Sequence, residues 1–546
     1  MKIVVTKSNI LIQIKNRNFS NIIEKVFSFL LSPYAVVLLA LYLSVFSTYY
    51  FYTKDLILAY GDAESHLAIA KRVIHSLTPG AAQLGGIWLP LPHILLVPFV
   101  YFDFLWKTGL AGSIVSGFFY ILSALFIYKL VLLLTKSNGA SFVGGLVFLL
   151  NPNIFYLQAT PMTELILIAF FTISNYFFVK FILNYKDYTS LIYAAFFGFL
   201  ATLSRYDGWF LVFIQFLTIP IIFLLKKGVD YTTFKANLKK EYKSLIGMLT
   251  LYGTLAFFGI FLWLLWDYLI LGDPFYFTNS MFSARSQQIG WFNKGQLPAY
   301  KNIALSVAYY FETTLQNTGV FVYALAFIGL IYFLHQRRRN LAIATIISIP
   351  FIFYVVALYL GQSVIFIPTL TPTDFEWKLF NVRYGVMLIP AVAIFFAFLF
   401  SKSHEILKIV YLAALFFQMY LFISGHTTVI SLQDGLGGLS AAKHPDVEKF
   451  LQNNYKNGTV LLDDYSRTMS VIKSGINERD TIYIGNKPYW EISLINPEKH
   501  ADWIIMQQGD MVWTSLYANK NGQDHLYKYY KKVYTSDEIL VFKKIE

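Results

Sequence analysis

The sequence predicts a polytopic α-helical membrane protein with a small α/β domain outside the membrane at its C-terminal end. Three observations carry that expectation. Of the 546 residues 56% are hydrophobic, 18% aromatic and only 14% charged, with mean hydropathy +0.53, a balance foreign to soluble globular chains. Apolar windows of about 20 residues, long enough to cross the hydrocarbon core as helices, recur from residue 29 to residue 424. Beyond residue 426 Asp, Asn, Lys and Gly return and the apolar runs shorten to strand length.

The windows fall at 29–52, 112–135, 139–158, 162–184, 188–204, 208–226, 244–271, 303–334, 340–360, 384–400 and 405–424, which makes about eleven transmembrane helices. Their loops alternate in charge. The N-terminal tail (Lys2, Lys7, Lys15, Arg17, Lys25), Lys136, Lys186, the run from Lys226 to Lys243, Arg337 to Arg339 and Lys402 form one basic set, expected on the cytoplasmic side. The other set, including 53–111, 159–161, 205–207, 272–302 and 361–383, then faces outward. The stretch from Trp88 to Trp106 has the apolar length of a span, but Pro90, Pro92 and Pro98 with His93 and Asp103 place it in or dipping into the interface. The expected division is a cytoplasmic tail 1–28, a transmembrane domain 29–425 with a first outer loop 53–111, and an extracytoplasmic α/β domain 426–546 in a multi-pass plasma-membrane protein. The N-terminal stretch lacks the compact order of a cleaved signal peptide, so the first span is expected to stay.

Several classes drop out. There is no cysteine, which removes disulfides, thiolate metal sites and cysteine nucleophiles. The net charge of +13 falls largely in short loops between apolar spans, where Lys and Arg set orientation, so no nucleic acid is expected as a partner. No repeat of fixed period and no matched Gly/Pro-broken spans are visible, which weighs against an inverted-repeat carrier. In the C-terminal domain a helix starting at Pro445 is followed by strand-like GTVLLDDY, DTIYIGN, ADWIIMQQGD and EILVFKK, the order of a small α/β unit. Its edge of Asp463, Asp464 and Tyr465 could face the membrane, although a strand ending in acids at a loop is ordinary.

Ionisable groups at a membrane surface need a reason. YGDAESHLAIAKR, from Tyr60 to Arg72, places Asp62 and His66 on one helical face and Glu64, Lys71 and Arg72 on another. It reads either as an interfacial amphipathic helix or as a catalytic loop with Asp62 as general base. Glu164, in QATPMTE, is a helix-start carboxylate favoured by the dipole, with Pro161 in the first turn, or a site residue. Arg205 and Asp207, in LSRYDGW, close a hairpin or sit in a sunken polar cavity. Asp273 lies between Gly272 and Pro274 as ordinary turn chemistry, while Arg285, Lys378 and Arg383 are cations that snorkel to headgroups or hold phosphate. Taken together, Asp62 and Glu164 with Arg205, Arg285, Lys378 and Arg383 converge on one membrane face. That set suits attack by an acceptor hydroxyl on a lipid-borne phosphate sugar: a base takes the proton, cations stabilise the departing phosphate, and a greasy groove holds the chain.

The serial order of GDAESH, WLPLPHILL, SGFFYILSALFIYKLVLLL, GASFVGGLVFLLNPNIFYLQATPMTE, LSRYDGW, LGDPFYFTNS and NVRYGVMLIP resembles the GT-C glycosyltransferases. Within them it is similar to the branch of protein-mannosyltransferase-like and aminoarabinose-transferase-like enzymes, over most of residues 29–400. The resemblance implies a GT-C fold and transfer of a sugar, with inversion, from a polyprenyl-phosphate donor to a glycan, lipid or protein acceptor on the outer face, in contact with membrane lipids. It implies a catalytic base or metal-proximal carboxylate at Asp62, acceptor positioning or metal contact at Glu164, and donor-phosphate binding at Arg205 and Arg383, with Arg285 and Lys378 as further cations. His66, Glu64, Asp207 and His93 are candidate lining. The chain shows Asp-Ala-Glu where protein mannosyltransferases usually have adjacent Asp-Glu, and it lacks the WWDYG-like segment of oligosaccharyltransferases.

No strong ligand spacing such as HExxH appears, so no cofactor is required, although His66, His75 and His93 share a loop with Asp62 and a divalent metal is open. The competing readings are a transporter or flippase of a lipid-linked sugar, which predicts charges near the bilayer midplane, and a non-enzymatic scaffold indifferent to Asp62 and Glu164.

Overall fold

The computed structural model describes residues 24–26, 28–225, 231–441, 445–463 and 471–545. The expected tail 1–28 therefore lies mostly outside the described residues, as do Asp464 and Tyr465.

Among the described residues five helices are long and apolar enough to cross a membrane: Pro33–Thr53, Leu110–Thr135, Glu164–Leu183, Val382–Lys402 and Glu405–Ile423. Counting each of three bent pairs as one span raises the number to eight. The chain is a polytopic membrane protein; among the described residues length and composition give five to eight spans, and the shorter apolar helices Leu91–Val100, Asn138–Leu149, Tyr188–Thr202 and Asp207–Ile222 stand beside them. Burial sorts the helices. Glu164–Leu183 and Val382–Lys402 have 83% of their spanning windows buried and form the centre; Pro33–Thr53 and Glu405–Ile423, at 22%, form an apolar rim suited to lipid.

Local chemistry explains where the windows break. The 139–158 window splits into Asn138–Leu149 and Pro152–Leu157 because Asn151 caps the second piece, accepting from the backbone N–H groups of Asn153 and Ile154, and Pro152 starts it. The 303–334 window is two helices, Ile303–Thr318 and Val320–Gln336, bent by 118°. Gly319 makes that corner at φ +88°, and a Cβ there would meet the Gln418 side chain at 2.2 Å. The buried face of Ile303–Thr318 is polar, carrying Ser306, Tyr309, Thr313 and Asn317. It lies against the 3₁₀ turn Val382–Leu388, with Asn317 Nδ2 donating to the Val382 carbonyl at 2.7 Å. Gly385 permits that approach, since a Cβ there would stand 2.5 Å from Asn317 Nδ2. Pro161 precedes the helix that Glu164 opens and is not in its first turn; it packs instead against Gly112, whose Cβ would fall 2.3 Å from Pro161 Cα. The Trp88–Trp106 stretch forms the short helix Leu91–Val100 followed by Asp103–Thr108.

The C-terminal residues form a five-stranded sheet from β1 (Val460–Leu462), β2 (Thr481–Ile482), β3 (Trp503–Gln507), β4 (Tyr530–Thr535) and β5 (Ile539–Lys544), in the order β2-β1-β3-β5-β4. β1 runs parallel to β2 and β3, and β5 antiparallel to β3 and β4. Alternation gives the sheet two apolar faces, Leu461, Ile504 and Phe542 on one and Val460, Ile505 and Val541 on the other. β4 escapes the sequence reading because Lys531 and Lys532 interrupt its apolar pattern; as an edge strand it carries them exposed.

The sheet domain docks on the helix Gly61–Ile74 and the segment that follows it. Arg72, at the C-terminal end of the helix Gly61–Ile74, meets Glu478 through Nε at 2.7 Å and lies 3.9 Å from the Tyr483 ring. Tyr483 Oη donates to Gln83, and Asn486 Nδ2 donates to Thr78 Oγ1 at 2.9 Å.

Candidate active site

Asp62 occupies the first turn of Gly61–Ile74, where the helix dipole favours a carboxylate. The segment after the last apolar helix holds this turn: Gly61 N–H donates to the Ser440 carbonyl at 2.9 Å, and Tyr60 forms an antiparallel bridge with Ala441. Asp62 is thereby aimed at Arg383, in the 3₁₀ turn at the head of the central helix.

Arg383 is the hub. Its Nη2 donates to Asp62 Oδ2 at 2.6 Å, Nε to Glu164 Oε1 at 3.2 Å, and Nη1 to Ser440 Oγ at 3.1 Å. Asp434 Oδ2 lies 3.8 Å from Nη1. The Glu164 oxygen is shared, because Arg205 Nη1 also donates to it at 3.2 Å, and Arg205 Nε reaches Asp207 Oδ2 at 3.4 Å. Arg205 also donates to Thr163 Oγ1 at 3.0 Å and to Tyr354 Oη at 3.5 Å. Rings pad the guanidiniums: Arg383 is 5.0 Å from the Tyr60 centroid and 5.3 Å from that of Tyr384, and Arg205 is 5.2 Å from Tyr384.

Exposure separates the carboxylates. The Glu164 and Asp434 side chains are sealed at 0%, whereas Asp62 keeps 25% of its surface. Asp62 Oδ2 is anchored by Arg383, and Oδ1 takes no hydrogen bond from the protein and is not sealed. Arg205 keeps 17%. The open side of the cluster is therefore Asp62 and Arg205.

The two histidines lie behind Asp62. His66 Nδ1 and His93 Nε2 are 2.9 Å apart, both rings buried, with Trp88 4.6 Å from the His66 centroid. Burial, then the positive charge of Arg205 and Arg383, pushes His66 down to about 3, and burial lowers His93 as well, so both stay neutral.

Of the residues singled out from the sequence, the fold brings together Asp62, Glu164, Arg205, Asp207 and Arg383, with His66 and His93 beside them. Glu64 turns toward the sheet domain, 3.7 Å from Lys473 Nζ. Lys378 is committed to its own loop, donating to the Pro372, Thr373 and Phe375 carbonyls. Arg285 is exposed on the helix Ala284–Asn293 and pairs with none of these carboxylates. Sequence reasoning missed Tyr60, Asp434 and Ser440. Asp434 is held beside Tyr60, whose Oη lies 3.4 Å from Oδ2, and burial pushes its carboxyl up to about 7. The available signal was one Asp in the otherwise uncharged TTVISLQDGLGGLS, directly after the last span. Among the described residues no three His, Asp or Glu side chains gather closely enough to hold a metal ion.

At the level of the fold, the chain is similar to GT-C glycosyltransferases of known structure. It is similar to the crystal structure of ArnT from Cupriavidus metallidurans bound to undecaprenyl phosphate, with TM-score 0.55 and 11% identity over 92% of this chain and 97% of that one. The apo form of the same protein aligns with TM-score 0.52, 11% identity and the same coverage of 92% and 97%. The Archaeoglobus fulgidus oligosaccharyltransferase in complex with zinc and sulfate aligns with TM-score 0.48 and 11% identity over 93% of this chain and 73% of that one. No protein-family model and no curated protein matches the sequence.

Proposed function

We propose that the protein is a glycosyltransferase that moves one sugar from a polyprenyl-phosphate donor to an acceptor hydroxyl on the outer face of the membrane, with inversion. The observation that carries this reading is the split within the cluster: one carboxylate, Asp62, is fixed at one oxygen and open at the other, while every other acid there is sealed or nearly so. Asp62 Oδ1 takes the acceptor proton as the acceptor oxygen forms its bond to the anomeric carbon, and the bond to phosphate breaks. Arg205 and Arg383 face the leaving phosphate, whose negative charge their guanidiniums stabilise. Glu164 holds both guanidiniums in place from beneath, a positioning role.

The fold likeness to a protein crystallised with undecaprenyl phosphate supports the donor class. The exposed apolar rim supplies a surface for a prenyl chain. The basic loops are assigned to the cytoplasm, and the cluster with residues 426–546 to the opposite side. The test is label transfer from a panel of polyprenyl-phosphate sugars to envelope acceptors by purified protein in lipid, wild type beside Asp62→Asn. Transfer by wild type alone supports the reading. Movement of intact donor across vesicles without transfer overturns it in favour of a flippase.

A further inference from the structure

The guanidiniums at the site have few donors left for a ligand. Arg383 spends Nε, Nη1 and Nη2 on Glu164, Ser440 and Asp62. Arg205 spends Nε, Nη1 and Nη2 on Asp207, on Thr163 with Glu164, and on Tyr354. A phosphate placed there gains from a donor that brings no further charge, and the same face of the Asp62 helix carries one.

His66 stands one turn along from Asp62. The bond between His66 Nδ1 and His93 Nε2 has one proton, and the surroundings decide which ring owns it. His93 Nδ1 is sealed and without a partner. Were His93 protonated there, a buried N–H would be orphaned, and orphaned N–H groups are rarer than orphaned acceptors. The favourable arrangement puts the His93 proton on Nε2, donating to His66 Nδ1, and this forces the His66 proton onto Nε2. His66 Nε2 has no protein partner and, unlike His93 Nδ1, is not sealed. We propose that His66 presents a fixed, uncharged Nε2–H donor to a phosphate oxygen of the ligand held by Arg205 and Arg383, and that His93 is the positioning residue that sets its tautomer. Burial, and after it the positive charge of the nearby Arg205 and Arg383, keeps His66 neutral, in keeping with this geometry. The inference rests on the reading of the cluster as a phosphate site.

The test measures undecaprenyl phosphate binding to the full-length protein in nanodiscs for wild type, His66→Ala, His66→Gln, His93→Leu and Arg205→Ala. Nitrogen NMR of the imidazoles of the wild-type protein reads the tautomer. We expect His66→Ala to weaken binding by about tenfold to a hundredfold, the range for a hydrogen bond to a charged group. His66→Gln, whose amide nitrogen reaches as far as Nε2, restores most of the loss, and His93→Leu weakens binding while thermal unfolding shows a folded protein. The wild-type His66 signal is that of the Nε2–H form. Binding unchanged in His66→Ala but weakened in Arg205→Ala, or an Nδ1–H signal from His66, overturns the assignment and leaves the phosphate site standing. Binding that neither substitution changes, or none by wild type, overturns both.

Discussion

Arg383 and Asp62 are separated by 321 positions in the chain and meet at 2.6 Å between Nη2 and Oδ2. The pairing fixes one Asp62 oxygen and leaves the other for chemistry, which makes Asp62 the point at which the proposed activity is most exposed to experiment. Asp62→Asn keeps the side chain's shape and removes its basicity. Turnover should fall by about a hundredfold to ten-thousandfold, the range for loss of a general base. Donor binding should change little. Purified variants assayed for label transfer check this, and full activity in Asp62→Asn would remove Asp62 from the role of base.

Glu164 makes a different prediction. It is sealed and accepts from both guanidiniums, so Glu164→Ala leaves two cations without their shared partner. Breaking a buried pair of this kind costs about 3–5 kcal/mol. Denaturant or thermal unfolding in detergent should show a large loss of stability along with lost activity, whereas Asp62→Asn should unfold close to wild type.

Asp434 should write a pH dependence into stability. Burial raises its carboxyl from 3.8 in the reference state to about 7 in the folded protein. The native state therefore holds a proton that the unfolded state has released. The resulting stabilisation is complete below the unfolded value and is lost as pH rises through the folded one. Between those limits the Asp434 contribution falls with rising pH, against the opposite contribution of His66 and His93, whose lowered values make stability rise, and Asp434→Asn should remove the falling component of the slope. Unfolding curves across the interval decide it; identical slopes in the two proteins would count against a protonated Asp434.

The Arg72–Glu478 contact ties the sheet domain to the helix that carries Asp62. Arg72→Ala should loosen that docking. Hydrogen exchange should rise in residues 471–486 and along Gly61–Ile74, with turnover reduced and the sheet strands still protected. Unchanged exchange at both would mean that the domain is held by its other contacts.

Metal removal offers a separate check. Asp62 Oδ2 and Glu164 Oε1 are already engaged by guanidiniums, so chelation by EDTA should leave most transfer activity. Loss of activity that a divalent ion restores would assign an ion to the open carboxylate side of the cluster.

The sequence disclosed this architecture unevenly. Apolar length announced the central helices because they carry few breaks, and Asp62, Glu164, Arg205 and Arg383 stood out because charge beside a membrane is costly. Composition could not reveal the corner at Gly319, since a window of apolar residues reads the same straight or bent by 118°. Lys378 and Arg383 looked alike as cations before the same span. One closes its own loop on three carbonyls and the other joins four chain segments, a distinction made only by tertiary contacts. Asp434 and Tyr60 went unnoticed because a single acid after a span and a tyrosine before a helix are ordinary locally. β4 went unnoticed because its lysines belong to an edge.

The bridge between Tyr60 and Ala441 has a consequence for how the protein is made. Asp62 leaves the ribosome early and Arg383 much later, but the residues that hold both, Asp434 and Ser440, follow the final apolar helix. The site therefore cannot close until the chain has been made past residue 441, however many helices have already been inserted. A chain stopped after the last span would leave Arg383 without two of its contacts, with Asp62 on an untethered turn.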